Sequence, residues 1–229
     1  TEDASPFSND GNCVSSAPLL IGACYDNGYY ISGVSYGWRG FMDEIQIHKN
    51  TDPYNANTVI ERYQAGRAGN HLTANSSTVF YLKSNTTYGD TAFTDSSPSA
   101  HTITNVGGVY HHLDDNRTAN TALYFDGASS IAIPSSADGT DELDMGIADH
   151  TAEAWFKATS NESMNIMSCG GEGSSNVDGW NIGYFASGTI GFRNGWAESS
   201  TYGWSPAVQS GTQTVQLPNF SHVFVKKSY

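Results

Sequence analysis

Phe41-Met42-Asp43-Glu44-Ile45-Gln46-Ile47-His48 is the stretch that decides the fold class of this chain. Ile45 and Ile47 fall on one face and Gln46 and His48 on the other, the period of two that marks a strand buried on one side. Upstream, Pro18-Leu19-Leu20-Ile21-Gly22-Ala23 reads as a strand and Tyr25-Asp26-Asn27-Gly28-Tyr29 as a turn or hairpin. Downstream, Ala56, Val59, Ile60 and Tyr63 fall at i, i+3, i+4 and i+7. With Asp52-Pro53 as a start signal and Gly66 as a stop, they predict one short amphipathic helix near 54–65. Residues 67–78 have the Gly, Asn, Ser and Thr content of a linker.

After the linker the strand pattern resumes at Val79-Phe80-Tyr81-Leu82, His101–Thr104, Thr121–Phe125 and Ile131-Ala132-Ile133. It continues at Thr151–Lys157, Asn165–Ser168, Trp180–Phe185, Thr189–Arg193 and Phe220–Lys226. Turn residues such as Asp126-Gly127 and Pro134-Ser135 separate them. So many short strands with one helix predict an all-β chain folded as an antiparallel β-sandwich.

The composition fits, because 229 residues with 38% hydrophobic and 12% aromatic side chains are enough for a core, while only 14% are charged. A formal net charge of −13, with ten Lys and Arg, argues against nucleic acid as a partner. No apolar run reaches the ~18–20 residues that span a bilayer, so no membrane insertion is expected. Thr1 opens no basic-then-apolar leader, and the chain reads as a processed product or an excerpt. Cys13 and Cys24 are spaced for a disulfide across neighbouring strands or a loop; the alternative is that these and Cys169 are buried or idle thiols. Asn-x-Ser/Thr sequons stand at Asn75, Asn85, Asn116, Asn161 and Asn219.

Phe93-Thr94-Asp95-Ser96-Ser97-Pro98-Ser99-Ala100-His101-Thr102-Ile103-Thr104, then Ala122-Leu123-Tyr124-Phe125-Asp126-Gly127 and Ile131-Ala132-Ile133-Pro134, resemble the opening of a laminin G-like, concanavalin A-like jelly roll. Thr151-Ala152-Glu153-Ala154-Trp155-Phe156-Lys157 is similar to the next core strand of that family. Residues 18–66 resemble the other end of such a domain. The resemblance therefore implies an order in which 1–66 are the closing half of one jelly roll and 79–229 the opening part of a second that lacks its closing strands. Two arrangements follow: a window cut from tandem modules, which is the preferred one, or two halves that complete one permuted sandwich. An uncompleted half would expose an apolar face and open strand edges, so other subunits or modules of an oligomeric assembly are expected partners.

Catalysis by paired carboxylates finds little support in the sequence. Glu142-Leu143-Asp144-Met145-Gly146-Ile147 lacks the second glutamate that a glycoside hydrolase of this shape would use, and Asp43 and Glu44, adjacent in a strand, are expected to face opposite ways. No Gly-x-Ser-x-Gly elbow appears in a strand-turn-helix context, and His111-His112 reads as a surface pair. The expectation is that the chain is not an enzyme.

Calcium is the cofactor this acidic, loop-rich sequence best accommodates, with Asp95 and then Asp43 as ligands; the bland alternative is an Asx-turn at Asp95 and a strand-end hydrogen bond at Asp43. Stacking on surface glycans is expected of two aromatic clusters: Tyr29, Tyr30 and Trp38, with Tyr25 and Tyr36 nearby, and Trp196, Tyr202 and Trp204. Subunit contacts are an equal use for such rings. The expected function is a non-catalytic structural or adhesion module on a virion or extracellular surface, such as a phage tail, fibre or decoration component, with glycan binding at its tips. The alternatives are a free lectin-like module of a secreted adhesin or enzyme and, more remotely, a glycoside hydrolase.

Overall fold

A computed structural model of the chain describes residues 17–26, 29–30, 36–49, 56–68, 70–113, 121–134, 142–143, 149–170, 179–195, 208–209 and 220–227. Among these, the strands of the first part are β1 (Leu19–Ile21), β2 (Tyr25–Asp26), β3 (Tyr29–Tyr30) and β4 (Arg39–Lys49), followed by α1 (Ala56–Arg67). Next come β5 (Thr78–Leu82), β6 (Thr104–Val106), β7 (Tyr110–His112), β8 (Ala122–Asp126) and β9 (Ser130–Ile133). The last are β10 (His150–Ala158), β11 (Met164–Gly170), β12 (Gly179–Tyr184), β13 (Ile190–Gly195), β14 (Val208–Gln209) and β15 (Ser221–Lys227).

Two antiparallel sheets pack face to face, so the chain is an all-β sandwich. One has seven strands in the order β14-β13-β12-β11-β1-β9-β6; the other has the order β15-β10-β4-β8-β7, with β5 pairing β4 further along the same side as β8. A separate hairpin joins β2 to β3. The first 66 residues supply a central strand to each sheet: β1 lies between β9 and β11, and β4 lies between β10 and the β8–β5 side. Strands from before and after residue 67 thus share both sheets and one core. The stretch of linker composition is fastened down as well, since Leu72 is buried and its N–H donates to Glu44 Oε2 at 2.7 Å.

The core lies between the sheets. Leu19, Ile21, Ile131, Ile133, Ile182 and Tyr184 from one meet Met42, Ile45, Ile47, Phe80, Leu123, Phe125 and Phe156 from the other. Each such side chain, removed from water, contributes on the order of 1.5–3 kcal/mol. In β12 and β8 the alternation is regular, with Trp180, Ile182 and Tyr184, or Leu123 and Phe125, pointing inward.

In β4 the alternation breaks. Met42 and Ile45 both enter the core although they are three residues apart, which a regular strand forbids. The pairing explains it: Gln46 faces Glu153 and Asp43 faces Trp155, so Glu44 and Ile45 together stand opposite Ala154 in a β-bulge, with Glu44 at φ +53°. A second bulge, where Ile166 is the extra residue between the pairs at Asn165 and Met167, lets Met164, Ile166, Met167 and Cys169 all reach the core.

Candidate functional site

The functional groups gather on the outer face of the six-stranded sheet, which the Glu44 bulge divides in two. Across it, Gln46 and His48 of β4 and Glu153 of β10 on one side, and Trp155 of β10 and His222 of β15 on the other, point outward, placed by the registers Gln46–Glu153 and Trp155–His222. Helix α1 covers them. Arg62 donates from Nη2 to Glu153 Oε1 and from Nε to Glu153 Oε2 at 3.2 Å, and its Nη2 also reaches Gln46 Oε1 at 2.7 Å. His222 Nε2 stands 3.1 Å from Glu153 Oε2, and His48 Nε2 is 3.0 Å from Gln46 Oε1.

Beside this cluster Tyr63 stacks on Trp155 at a centroid distance of 5.4 Å, His222 stacks on it at 4.8 Å, and Gly66 lies directly against the indole. The helix therefore docks through Arg62, Tyr63 and Gly66. Of the apolar stripe read from the sequence, Tyr63 takes part in this docking, whereas Ile60 is 52% exposed.

Burial pushes the Glu153 carboxyl up, but hydrogen bonds from His222 and Arg62, with the Arg62 charge, outweigh it and hold the group below the ordinary carboxylate range. Burial pushes the His48 imidazole down to about 4, against the opposing pull of Glu153, so at neutral pH it is uncharged. Both side chains are fully buried and both Glu153 oxygens are engaged, so the cluster is a clasp that ties α1 to the sheet.

Three neighbouring networks have the same character. Glu44 accepts from the Leu72 N–H and the Tyr81 hydroxyl, each at 2.7 Å, and His71 Nδ1 is 2.5 Å from its other oxygen. Burial and the Glu44 charge push the Tyr81 phenol up. Ser84 Oγ lies 2.7 Å from His111 Nδ1 and donates to Thr121 Oγ1 at 2.8 Å, while His111 Nε2 faces the Ala92 carbonyl at 3.2 Å. This Ser–His pair is buried and has a carbonyl where a catalytic triad has a carboxylate. His111 is thus an interior residue and not half of a surface pair.

The calcium candidates are occupied by protein donors. Asp95 Oδ1 accepts from the N–H groups of Tyr81 and Ser97, and Oδ2 from Ser97 Oγ and the His101 N–H, all at 2.9 Å. Asp43 Oδ1 accepts from the N–H groups of Glu44 at 2.9 Å and Ser84 at 2.8 Å. Asp43 pins the turn after β5 to β4, and Asp95 ties residues 97–101 to β5; among the described residues no group of three or more His, Cys, Asp or Glu could hold a metal ion.

The expected glycan-stacking residues need one correction. Trp38 is fully buried, edge-on to Phe156 at 5.5 Å and to Tyr184 at 6.1 Å, so it belongs to the core and offers no ring to a ligand. Tyr29 and Tyr30 form β3, and their side chains lie outside what is described. Trp196, Tyr202, Trp204 and Cys13, the last with its proposed bond to Cys24, lie outside the described residues.

Ahead of the bulge the same sheet face carries a ring cluster that the sequence reading passed over, in which Tyr110 and Tyr124 are half-buried and Phe41, 6% exposed, forms the floor. Lys157, Phe41, Tyr124 and Tyr110 stand directly opposite one another on β10, β4, β8 and β7. Phe41–Tyr124 and Tyr124–Tyr110 are each 5.3 Å apart, Lys157 Nζ lies 5.5 Å from the Phe41 centroid, and His112 sits 5.4 Å from Phe41. Tyr88, 53% exposed, closes the cluster at 6.2 Å from Tyr110 and 5.5 Å from His112. Its turn is clipped to the edge of β7 by Gly89 N–H to the His111 carbonyl at 2.8 Å and His111 N–H to the Asp90 carbonyl at 2.9 Å. The one local signal was Tyr124, flanked by inward Leu123 and Phe125 and so bound to face out. No helix among the described residues is long and apolar enough to cross a membrane. Set against protein-family models, curated proteins and solved structures, the chain matches none.

Proposed function

We propose that this chain is a non-catalytic structural or adhesion module of an extracellular or virion-surface assembly, and that it holds surface glycans through the outer face of its six-stranded sheet. One observation carries the reading: on that face the Glu153 carboxylate is covered and spent on holding the fold, while the Tyr88 ring is exposed and the Tyr110 and Tyr124 rings and the Lys157 side chain stand half-exposed beside it. Glu153, the carboxylate with the most acid–base neighbours, has no exposed surface and sits under Arg62. The Tyr88–Tyr110–Tyr124 cluster is open by contrast, and such rings supply contact area at low entropic cost. The resemblance of residues 93–134 and 151–157 to laminin G-like modules agrees with a binding or scaffolding role.

The test is to measure retention of the intact chain on immobilised surface polysaccharides together with release of reducing ends from the same material. Retention without release is expected. Sugar release that disappears in Glu142→Gln would replace this reading with a glycoside hydrolase; absence of retention on every polysaccharide would remove glycan adhesion.

A further inference from the structure

We infer that the row Lys157–Phe41–Tyr124–Tyr110, flanked by Tyr88 and His112, is the binding site itself and that it takes a linear, uncharged oligosaccharide laid across the strands. The inference rests on the adhesion reading and gives it an address and a ligand class.

The four residues are direct cross-strand partners. At the strand spacing of about 4.8 Å the row is roughly 14 Å long, with one side chain per strand. That repeat is close to the length of one pyranose unit, so successive sugars of an extended chain meet Tyr110, Tyr124 and Lys157, with Phe41, 6% exposed, as the floor beneath them. The rings are tilted to one another by 53° and 52°, which leaves shallow notches between them and no flat plate. A sugar presents C–H faces to rings and hydroxyls to their rims. The rims here carry the Tyr88, Tyr110 and Tyr124 hydroxyls, the His112 imidazole and the Lys157 ammonium, the mixture of apolar lining and few polar groups that orients a small polar ligand.

Other occupants fit less well. A peptide strand adding to β7 would need its free edge, but the 88–90 turn already takes the His111 N–H and carbonyl. A polyanion would face a chain of net charge −13. Tyr88 is also preorganised: besides the two bonds to β7, the Asp90 N–H donates to the Thr87 carbonyl at 3.1 Å, and Asp90 Oδ1 accepts from the Ala92 N–H at 2.9 Å. An exposed ring held this firmly loses little entropy when it meets a ligand.

The experiment titrates the full chain with linear hexasaccharides of glucose, xylose, mannose and N-acetylglucosamine, by calorimetry and by NMR. We expect millimolar or tighter binding of at least one. Tyr88→Ala and Tyr110→Ala should each weaken it about tenfold, the factor that corresponds to 1.4 kcal/mol. Ile60→Ala, at a side chain 52% exposed on α1, should leave it unchanged, and unaltered urea midpoints will show that the variants are folded. Binding that survives both cluster variants overturns the site. Retention on intact polysaccharide with no response to any hexasaccharide, or retention that Tyr88→Ala does not alter, overturns it too while the adhesion reading stands. A dimer that Tyr88→Ala dissolves would show that a second copy, and not a sugar, occupies the row.

Discussion

Gly66→Ala sets a helix-stabilising effect against a steric one, and the geometry decides between them. In an exposed helix interior the change would stabilise by about 1 kcal/mol, because alanine loses less backbone entropy than glycine. Here the new methyl would fall 2.5 Å from three atoms of the Trp155 indole, Cε2, Cζ2 and Nε1, where carbon contacts settle at ~3.5–4.0 Å. The indole has nowhere to go: it is 1% exposed, Tyr63 stacks on it at 5.4 Å and His222 at 4.8 Å. Relief requires lifting α1, which loosens the Arg62–Glu153 clasp as well. Overpacking of this kind costs about 1–3 kcal/mol, and losing the Tyr63 stack adds about 0.5–1.5. Net destabilisation of about 1–3 kcal/mol remains after the helix gain, a fall of very roughly 2–12 °C in Tm for a chain of this size. Urea unfolding followed by circular dichroism measures it, with Gln64→Ala on the exposed side of the same helix as the control. A Gly66→Ala protein as stable as the parent, or more so, would refute the docking of α1 on Trp155.

Glu153→Gln leaves Arg62 buried without its carboxylate and should destabilise by about 3–5 kcal/mol in urea titrations, whereas Arg62→Met with Glu153→Leu should recover most of that loss. The fold should also weaken in mild acid. His48 titrates at about 4 in the fold against 6.5 when unfolded, so between those values the unfolded chain binds the extra proton. Its contribution is complete above pH 6.5 and is lost as the pH falls to 4, about 3 kcal/mol at 1.36 kcal/mol per pH unit. Glu153, held below its ordinary range, acts in the same direction at lower pH, and His48→Gln should flatten the upper part of a stability-versus-pH curve. Asp95→Ala strands the N–H groups of Tyr81, Ser97 and His101 and should cost at least about 2–3 kcal/mol; thermal melts should show the same loss in calcium and in chelator if its role is the hydrogen bonding described here.

The fold class was legible because period-two patterns at Ile45–Ile47, Leu123–Phe125 and Trp180–Ile182 report a sheet with one buried side wherever they occur. What the sequence hid were the places where the phase changes. Met42 and Ile45 already disagree with a single strand phase, but the polar pair Asp43-Glu44 between them reads as a strand-end feature until the partner strand shows two residues opposite one. Trp38 was misjudged for a related reason: it stands in a Tyr- and Gly-rich stretch that looks like a surface loop, yet its position just ahead of β4 carries it inward between Phe156 and Tyr184. Asp95 and Asp43 read first as calcium ligands, with an Asx-turn and a strand-end hydrogen bond as the alternatives, and only their bonded neighbours show the amides that donate to them. The ring row was invisible because its members come from four strands whose order in the sheet is not their order in the chain.

The bulge at Glu44 links these features. If β4 ran through in regular alternation from Met42, then Gln46 and His48 would share the inward side with it, and two polar groups would enter the core without partners. By adding one residue, the strand keeps Met42, Ile45 and Ile47 inside and turns Phe41, Gln46 and His48 outward. The same change of phase lets one strand serve two clusters: Phe41 forms the floor of the ring row ahead of the bulge, and Gln46 and His48 join the covered clasp behind it. Glu44, the residue that bears the positive φ, is held by Leu72, Tyr81 and His71, all from the stretch that follows α1. The segment of linker composition therefore helps to fix the bulge, and through it the change of phase that sends Phe41 to the ring row and Gln46 and His48 to the clasp.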